Sequence, residues 1–363
     1  LTPRAVAALK ELDIPIDASH RISGLRMIAG RQIRELPWPE TDRFPGYGAV
    51  WPRQSLDAEL IGAAESAGAS VSFQSTARPI IEDDVVRGVR VECAGGTREV
   101  YAEKVIVATG APGAVARDLG AVRVADEPFG LAIRSYVESP RHADDMLEAC
   151  LTLRDEHGTP VPGYGWMFPC GDGSVNIGVG ALSTMKGFKS LNLNKLLASY
   201  RATVEGSWSL GADIGKARAW RLPMSVVKRS GPGWMAVGDA AGLVNPMNGE
   251  GIDYGLESGM LAADEYLRDP AGAESRYDDA VGERFDAFLR TGRRFAFLIG
   301  HPFLLRTGLR VAVGTHSIAN ITLQVMGNLV DGDTPGAAGR VLSFADRALA
   351  LADPVLRKTR AKA

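Results

Sequence analysis

An aspartate set among glycines is the first group in this chain with chemistry to offer. In GWMAVGDAAGLVNPMNGEGIDYGLESG (233–259), the apolar run Trp234-Met235-Ala236-Val237 ends in Gly238-Asp239. Such a run reads as a buried parallel strand, and open α/β sheets hold ligands beyond the carboxyl ends of their strands. Gly238 lets a ligand approach the backbone there, and an ionised Asp239 is a pure acceptor, suited to hydroxyls. Pro246, Gly249 and Gly251 bend the loop that follows. A helix is expected from Ile252, with Ile252, Gly255, Leu256, Gly259, Met260 and Ala263 on one face. Its first N–H groups lack intrahelical partners, and with the helix dipole they favour an electron-rich or anionic group. Gly-Asp alone is better explained as a plain strand-to-helix turn. The whole series of Gly-Asp-Ala-Ala-Gly, Pro and Gly-Glu-Gly-Ile is more specific.

Two further stretches carry candidate side chains. VWPRQSLDAEL (50–60) sets Arg53 and Asp57 at the start of a helix, where an arginine taken singly is better explained as a surface or helix-packing residue. PGYGWMFPCGDGSVNIGVG (162–180) places Tyr164 and Trp166 two residues apart, hence on one face of a strand. Such a pair can line a cavity or fill a core, and Phe168 is balanced between the two. Cys93, Cys150 and Cys170 form no CxxC pair and no disulfide framework, which fits a reducing compartment. The five histidines show no ligand spacing, so no metal is expected. A formal net charge of −2 argues against a general nucleic-acid binder. The basic tail Arg357-Lys358-Thr359-Arg360-Ala361-Lys362 reads as a solvated end or a contact with anionic lipid. No stretch approaches the ~18 apolar residues of a membrane-spanning helix.

The elements that must position these groups follow from periodicity. Thr2 and Pro3 suit the start of a helix carrying Val6, Leu9 and Leu12. Residues 21–36 and ASVSFQST (69–76) alternate as strands do, and Leu56, Leu60, Ile61 and Ala64 mark one helix face. A meander turning on Gly95-Gly96 leads to Val105-Ile106-Val107-Ala108, the pattern of a strand buried on both faces. Several antiparallel strands are expected between about 125 and 222, with an amphipathic helix at Asn192 to Glu205. The resulting division is 1–124 with 223–274, then 125–222, then a helical region at 275–363. The apolar segment Phe295 to Val330, with Phe297, Leu298, Ile299, Phe303, Leu304 and Leu305, is either a helical core or a tunnel or membrane-facing surface.

The glycine-rich series closely resembles the second flavin-binding segment of the p-hydroxybenzoate-hydroxylase-like flavoproteins. That resemblance implies an α/β fold, with a Rossmann-like FAD-binding domain, an antiparallel-sheet substrate domain and a helical C-terminal region. It implies FAD as cofactor, with Asp239 taking the ribityl hydroxyls, Arg53 contacting FAD, and the backbone at Gly251 and Ile252 facing the ring. KVIVATGAPGAVAR (104–117) resembles the family's Ala-Asp-Gly-Ala strand end but carries Thr109 where Asp is usual. The Tyr-x-Trp-x-Phe-Pro and Asn-x-Gly-x-Gly pattern resembles the substrate-domain signature of the geranylgeranyl reductases, and much of the remaining chain is most similar to their actinobacterial branch, the menaquinone reductases.

A complete member begins with a strand, a Gly-x-Gly-x-x-Gly turn and a helix that hold the pyrophosphate, and no such pattern stands in these residues. The expectation is an incomplete cradle that binds FAD poorly by itself. The resemblance implies reduction of an isoprenyl double bond in menaquinone by hydride from reduced flavin N5, with Tyr164 and Trp166 positioning the lipid. It further implies a peripheral protein on the cytoplasmic face of the membrane. The rivals are an FAD-dependent aromatic monooxygenase and a flavin-free lipid-binding protein. Neither the electron donor nor the proton donor can be read from the residues.

Overall fold

The computed structural model describes residues 1–111, 113–300, 308, 314–330, 339–340, 344 and 346–351. The helix Pro3–Glu11 comes first, with Pro3 in its opening turn and Thr2 at the N-cap position, although the Thr2 hydroxyl makes no capping bond. Four strands follow: β1 (His20–Ile22), β2 (Gly24–Ala29), β3 (Gln32–Pro37) and β4 (Gly48–Val50). After the helix Arg53–Ser66 come β5 (Thr76–Glu82), β6 (Val85–Cys93), β7 (Gly96–Tyr101) and β8 (Val105–Val107). The middle of the chain holds β9 (Phe129–Glu138), β10 (Met146–Cys150), β11 (Gly163–Pro169), β12 (Ser174–Leu182), the helix Leu193–Trp208 and β13 (Asp213–Pro223). Then come β14 (Ser230–Gly231), β15 (Trp234–Ala236) and the helices Ile252–Arg268, Ala273–Val281, Ala287–Ile299 and His316–Met326.

The largest layer is a seven-stranded sheet in the order β13-β9-β12-β11-β10-β2-β3, antiparallel except for β10 beside β2. Its two faces follow from the alternation of the strands. Ile133 and Val137 on β9, Met167 on β11, and Val175, Ile177 and Val179 on β12 point one way. They pack against Leu196, Tyr200, Val204 and Trp208, spaced at i, i+4 along the Leu193–Trp208 helix. Asn192 caps that helix by accepting from the Lys195 N–H at 3.1 Å. Gly165 is required on this face, because a Cβ there would meet the Tyr200 ring at 2.6 Å. The alternate residues Ala132, Tyr164, Trp166, Phe168, Asn176 and Gly180 face a cavity.

The second core lies around β15, which runs parallel to β8 with Trp234 opposite Val105. Trp234, Met235 and Ala236 are buried against Tyr254, Tyr277, Phe285, Phe288 and Leu289. The Tyr277 hydroxyl donates to the Ala236 carbonyl at 2.6 Å, tying a helix to the strand beneath it.

Several sequence expectations need correction. The strands at 24–29 and 32–37 belong to the seven-stranded sheet, because β2 pairs with β10 more than a hundred residues away. Residues 69–75 form no strand and Phe73 is 67% exposed. Ile106 in β8 is 46% exposed, so this apolar strand is covered on one face only. On the Arg53–Ser66 helix only Leu56 is fully buried, and Ala64 is exposed. Phe303, Leu304, Leu305 and the basic tail 357–362 lie outside the described residues.

Candidate active site

A cavity of about 1430 Å³ is bordered by the open face of the seven-stranded sheet and by the loop and helix start around Asp239 and Ile252. It brings together all nine residues singled out from the sequence: Arg53, Tyr164, Trp166, Gly238, Asp239, Pro246, Gly249, Gly251 and Ile252. Phe295, Leu298, Ile299, Ile321, Val325 and Met326 add further apolar lining.

The glycine cradle is built by close approach. Gly238 has φ +57°, its N–H donates to the Ser258 hydroxyl at 2.9 Å, and a Cβ on it would lie 3.1 Å from Gly255 Cα. The Ile252–Arg268 helix therefore starts directly against the end of β15. A Cβ on Gly251 would come within 2.8 Å of Asp239 Oδ1, so the space between carboxylate and helix start depends on that glycine. Gly249 has φ +77°, which favours glycine there. Pro246 is buried against Gly292. Burial pushes the Asp239 carboxyl above its ordinary range, and the nearby Arg53 charge works against that rise. No described group hydrogen-bonds the Asp239 carboxylate, and Arg53 makes a two-pronged pair with Asp57 at 3.0 and 3.2 Å. These residues fit the hydroxylated and ring portions of a flavin: an unengaged acceptor, a nearby cation, and a helix start that only a glycine leaves open.

On the sheet wall the aromatic motif has a physical cause. The Trp166 indole lies over Gly178, where a Cβ would fall 2.1 Å from its Cζ2, and its Nε1–H donates to Asn176 Oδ1 at 2.9 Å. Asn176 and Gly178 are thus the seat of the tryptophan. Tyr164 and Phe168 flank it, with ring centroids 5.6 and 5.9 Å away. The Tyr164 hydroxyl donates to the Asn248 carbonyl at 2.5 Å, joining the sheet wall to the glycine loop. Burial raises the Tyr164 pKa further above its ordinary value, which suits a positioning role and not proton transfer.

Sequence reasoning missed the polar floor beside this loop. Glu250 lies in the cavity wall, taking the Thr2 N–H on Oε1 at 3.3 Å and the Asn328 amide on Oε2 at 3.5 Å. Burial first, and the neighbouring Asp253 second, push its carboxyl up to about 8. Asp253 accepts the Asn328 amide at 2.6 Å, and Glu257 is paired with the buried Arg4 at 2.5 and 2.9 Å. Burial opposes the Arg4 charge, but the Glu257 pair outweighs it and holds that guanidinium above its ordinary pKa. The buried side of the Ile252–Arg268 helix is consequently Asp253, Tyr254, Glu257, Ser258 and Ala262, not the small-residue face. The expected face borders the cavity at Ile252, Gly255 and Leu256 and ends in solvent at Ala263. A Glu between two glycines gives no sign of burial; the remote Thr2 and Asn328, with Asn248 beside it, enclose it.

No family model matches the chain. It is 37% identical to the menaquinone reductase of Mycobacterium tuberculosis (strain ATCC 25618 / H37Rv) over 345 residues, covering 94% of this chain and 84% of that relative. The chain belongs to the menaquinone reductase family. Among solved structures it is similar to a geranylgeranyl bacteriochlorophyll reductase-like protein from Thermoplasma acidophilum, with a TM-score of 0.74 and 22% identity over 93% of this chain and 87% of that one. A flavoprotein/dehydrogenase from Cytophaga hutchinsonii matches with a TM-score of 0.75 and 15% identity, over 97% of this chain and 89% of that one. The fold of this family member is therefore that of the flavin-dependent oxidoreductases.

Proposed function

We propose that this protein is an FAD-dependent oxidoreductase that reduces an isoprenyl carbon–carbon double bond, the substrate being the side chain of menaquinone. The observation that carries this reading is the cavity in which the Tyr164-Trp166-Phe168 wall shares one apolar space with the Asp239–Gly251 cradle. Asp239, Arg53 and the backbone at Gly251 and Ile252 would hold the ribityl and ring portions of FAD. When bound, reduced FAD supplies the hydride for the alkene. An unconjugated alkene develops no oxyanion, so the protein contributes placement and exclusion of water. Trp166, fixed by Asn176 and Gly178, and Tyr164, anchored on Asn248, present flat apolar surfaces along which an isoprenoid chain can lie. Phe295, Leu298 and Ile299 extend the apolar lining. No described helix is long and apolar enough to cross a membrane. A lipophilic substrate then implies peripheral attachment, which we place at the cytoplasmic face.

The test is anaerobic incubation of the protein, expressed from its whole reading frame, with FAD, dithionite and menaquinone, followed by mass spectrometry of the lipid. The expected product has gained two hydrogens in the side chain, and Trp166→Ala forms it more slowly. Bound flavin with no reduced isoprenoid, but oxygen-dependent hydroxylation of an aromatic ring, would replace this reading with a monooxygenase. A protein that holds lipid and no flavin would end it.

A further inference from the structure

We propose that the open edge of the seven-stranded sheet docks on an anionic bilayer, with Arg134, Arg218 and Arg221 as the contacts for phospholipid headgroups. This rests on reading the cavity as one for a lipophilic isoprenoid, because the same three arginines line it. Arg134 on β9 and Arg218 on β13 are direct cross-strand partners. Like charges so placed destabilise a sheet unless an anion compensates them. Among the described residues no carboxylate lies within 4.0 Å of Arg134, Arg218 or Arg221. The acid on β13, Asp213, is already engaged by Arg201 at 2.5 Å, and the acid on β9, Glu138, stands four positions along from Arg134, beyond ion-pair reach.

Some other sheet arginines are paired, although Arg87 and Arg98 are exposed on their strands and have no described carboxylate within 4.0 Å. Arg78 pairs with Asp118 at 3.1 Å, Arg90 with Glu99 at 2.8 Å and Arg26 with Glu35 at 2.7 Å. Charges that guard an edge strand against pairing would account for Arg218 and Arg221. They do not account for Arg134, one strand further in.

Two of the three guanidinium groups lie against rings, and no described side chain takes their donors. Arg134 lies 4.9 Å from the Tyr136 ring centroid and 5.8 Å from that of Trp220, and Arg221 lies 4.9 Å from that of Phe129. Trp220 is 42% exposed and Ile214 46%, so the strand offers apolar groups beside the cations. Tryptophan favours the membrane–water interface, and the planar guanidinium fork matches phosphate oxygens. A headgroup at this site would set the bilayer at the side of the cavity lined by β9 and β13, from which an isoprenoid could pass directly to Trp166.

The experiment is sedimentation of the protein with vesicles of phosphatidylcholine alone or mixed with phosphatidylglycerol. Binding is expected only with the anionic lipid and is expected to weaken with salt. Neutralising one arginine near a charged surface should reduce partitioning about fivefold, so Arg218→Gln and Arg221→Gln each lose that factor and the double variant roughly twenty-fivefold. Arg98→Gln, which removes the same charge from β7, should change it little. Arg218→Lys and Arg221→Lys should retain most of the binding, with circular dichroism matching the parent. Equal binding to both vesicle types, equal loss in Arg98→Gln, or equal loss in the lysine variants would overturn the proposal. Displacement by inorganic phosphate beyond that by chloride of equal ionic strength would assign the arginines to a small soluble anion and overturn it as well. The assay needs no turnover. Vesicle binding without isoprenoid reduction would fail only the functional reading, and reduction of detergent-dispersed menaquinone without vesicle binding would fail only this one.

Discussion

Glu250 shows how a single side chain in the cavity wall can record its surroundings. Its carboxyl titrates near 8 in the fold, against an ordinary value of 4.5. Folding thus favours the protonated acid, and this contribution to stability is complete below about pH 4.5 and lost as the pH rises through about 8. The charged neighbour that raises the pKa is Asp253. Glu250→Gln keeps an acceptor for the Thr2 N–H and removes the titration. Its melting temperature should sit close to the parent's near about pH 5 and rise above it by about pH 9. Two parallel curves across that range would refute the assignment. Asp239 makes a different prediction, because among the described residues its carboxylate has no hydrogen-bond partner. Asp239→Ala should weaken FAD binding by about ten- to a hundredfold, the value of one or two hydrogen bonds to a charged acceptor, with little change in melting temperature without flavin. Fluorescence titration with FAD measures the first effect and calorimetry the second.

Strands and helices set the next scale. Gly178→Ala puts a methyl where the Trp166 indole lies, with 2.1 Å between Cβ and Cζ2. Overpacking of this kind costs about 1–3 kcal/mol, and the displaced indole should shift tryptophan emission. An unchanged emission spectrum would mean that the ring is not seated on that glycine. Between the Pro3–Glu11 and Ile252–Arg268 helices, Arg4→Ala leaves Glu257 without its buried partner. Such breakage costs about 3–5 kcal/mol, and the low end is expected because Arg284 still reaches Glu257 Oε2 at 2.8 Å. Urea unfolding gives the number. Much of this scale was legible in the residues: the 192–205 periodicity marked a helix that runs from Leu193 to Trp208, and the apolar run at 234–237 marked a parallel strand. The inverted burial of the Ile252–Arg268 helix was not legible. Hydrophobic spacing assigns the core to apolar faces, whereas here a buried ion pair with a remote arginine drew the polar face inward. Strand β13 also went unread, because every residue from Asp213 to Arg221 is exposed and no alternation marks it.

Across the whole molecule, the site belongs to segments that only folding brings together. Asp239 and Gly251 come from one core, Tyr164 and Trp166 from the other sheet, and Arg53 from a third stretch. The strand, glycine-rich loop and helix start at 234–252 could be read because their signals are local. The way β2 extends the sheet and brings Leu25 to the cavity could not, because strand pairing across such separations leaves no local trace. A ligand bridging both cores should stabilise them jointly: FAD at a hundredfold excess over its Kd should raise folding stability by about 2.7 kcal/mol. A thermal scan showing no rise would mean that the folded protein does not hold FAD. The two-faced sheet also offers an engineer separate controls. Along β12, substitutions at Val175, Ile177 and Val179 should govern how much protein a cell accumulates, whereas those at Asn176 and Gly180 should alter which chain lengths fit. A library scored for abundance and for product would then alternate between the two readouts, residue by residue. Selection for a new substrate could work on every second position while leaving the remainder to keep the fold.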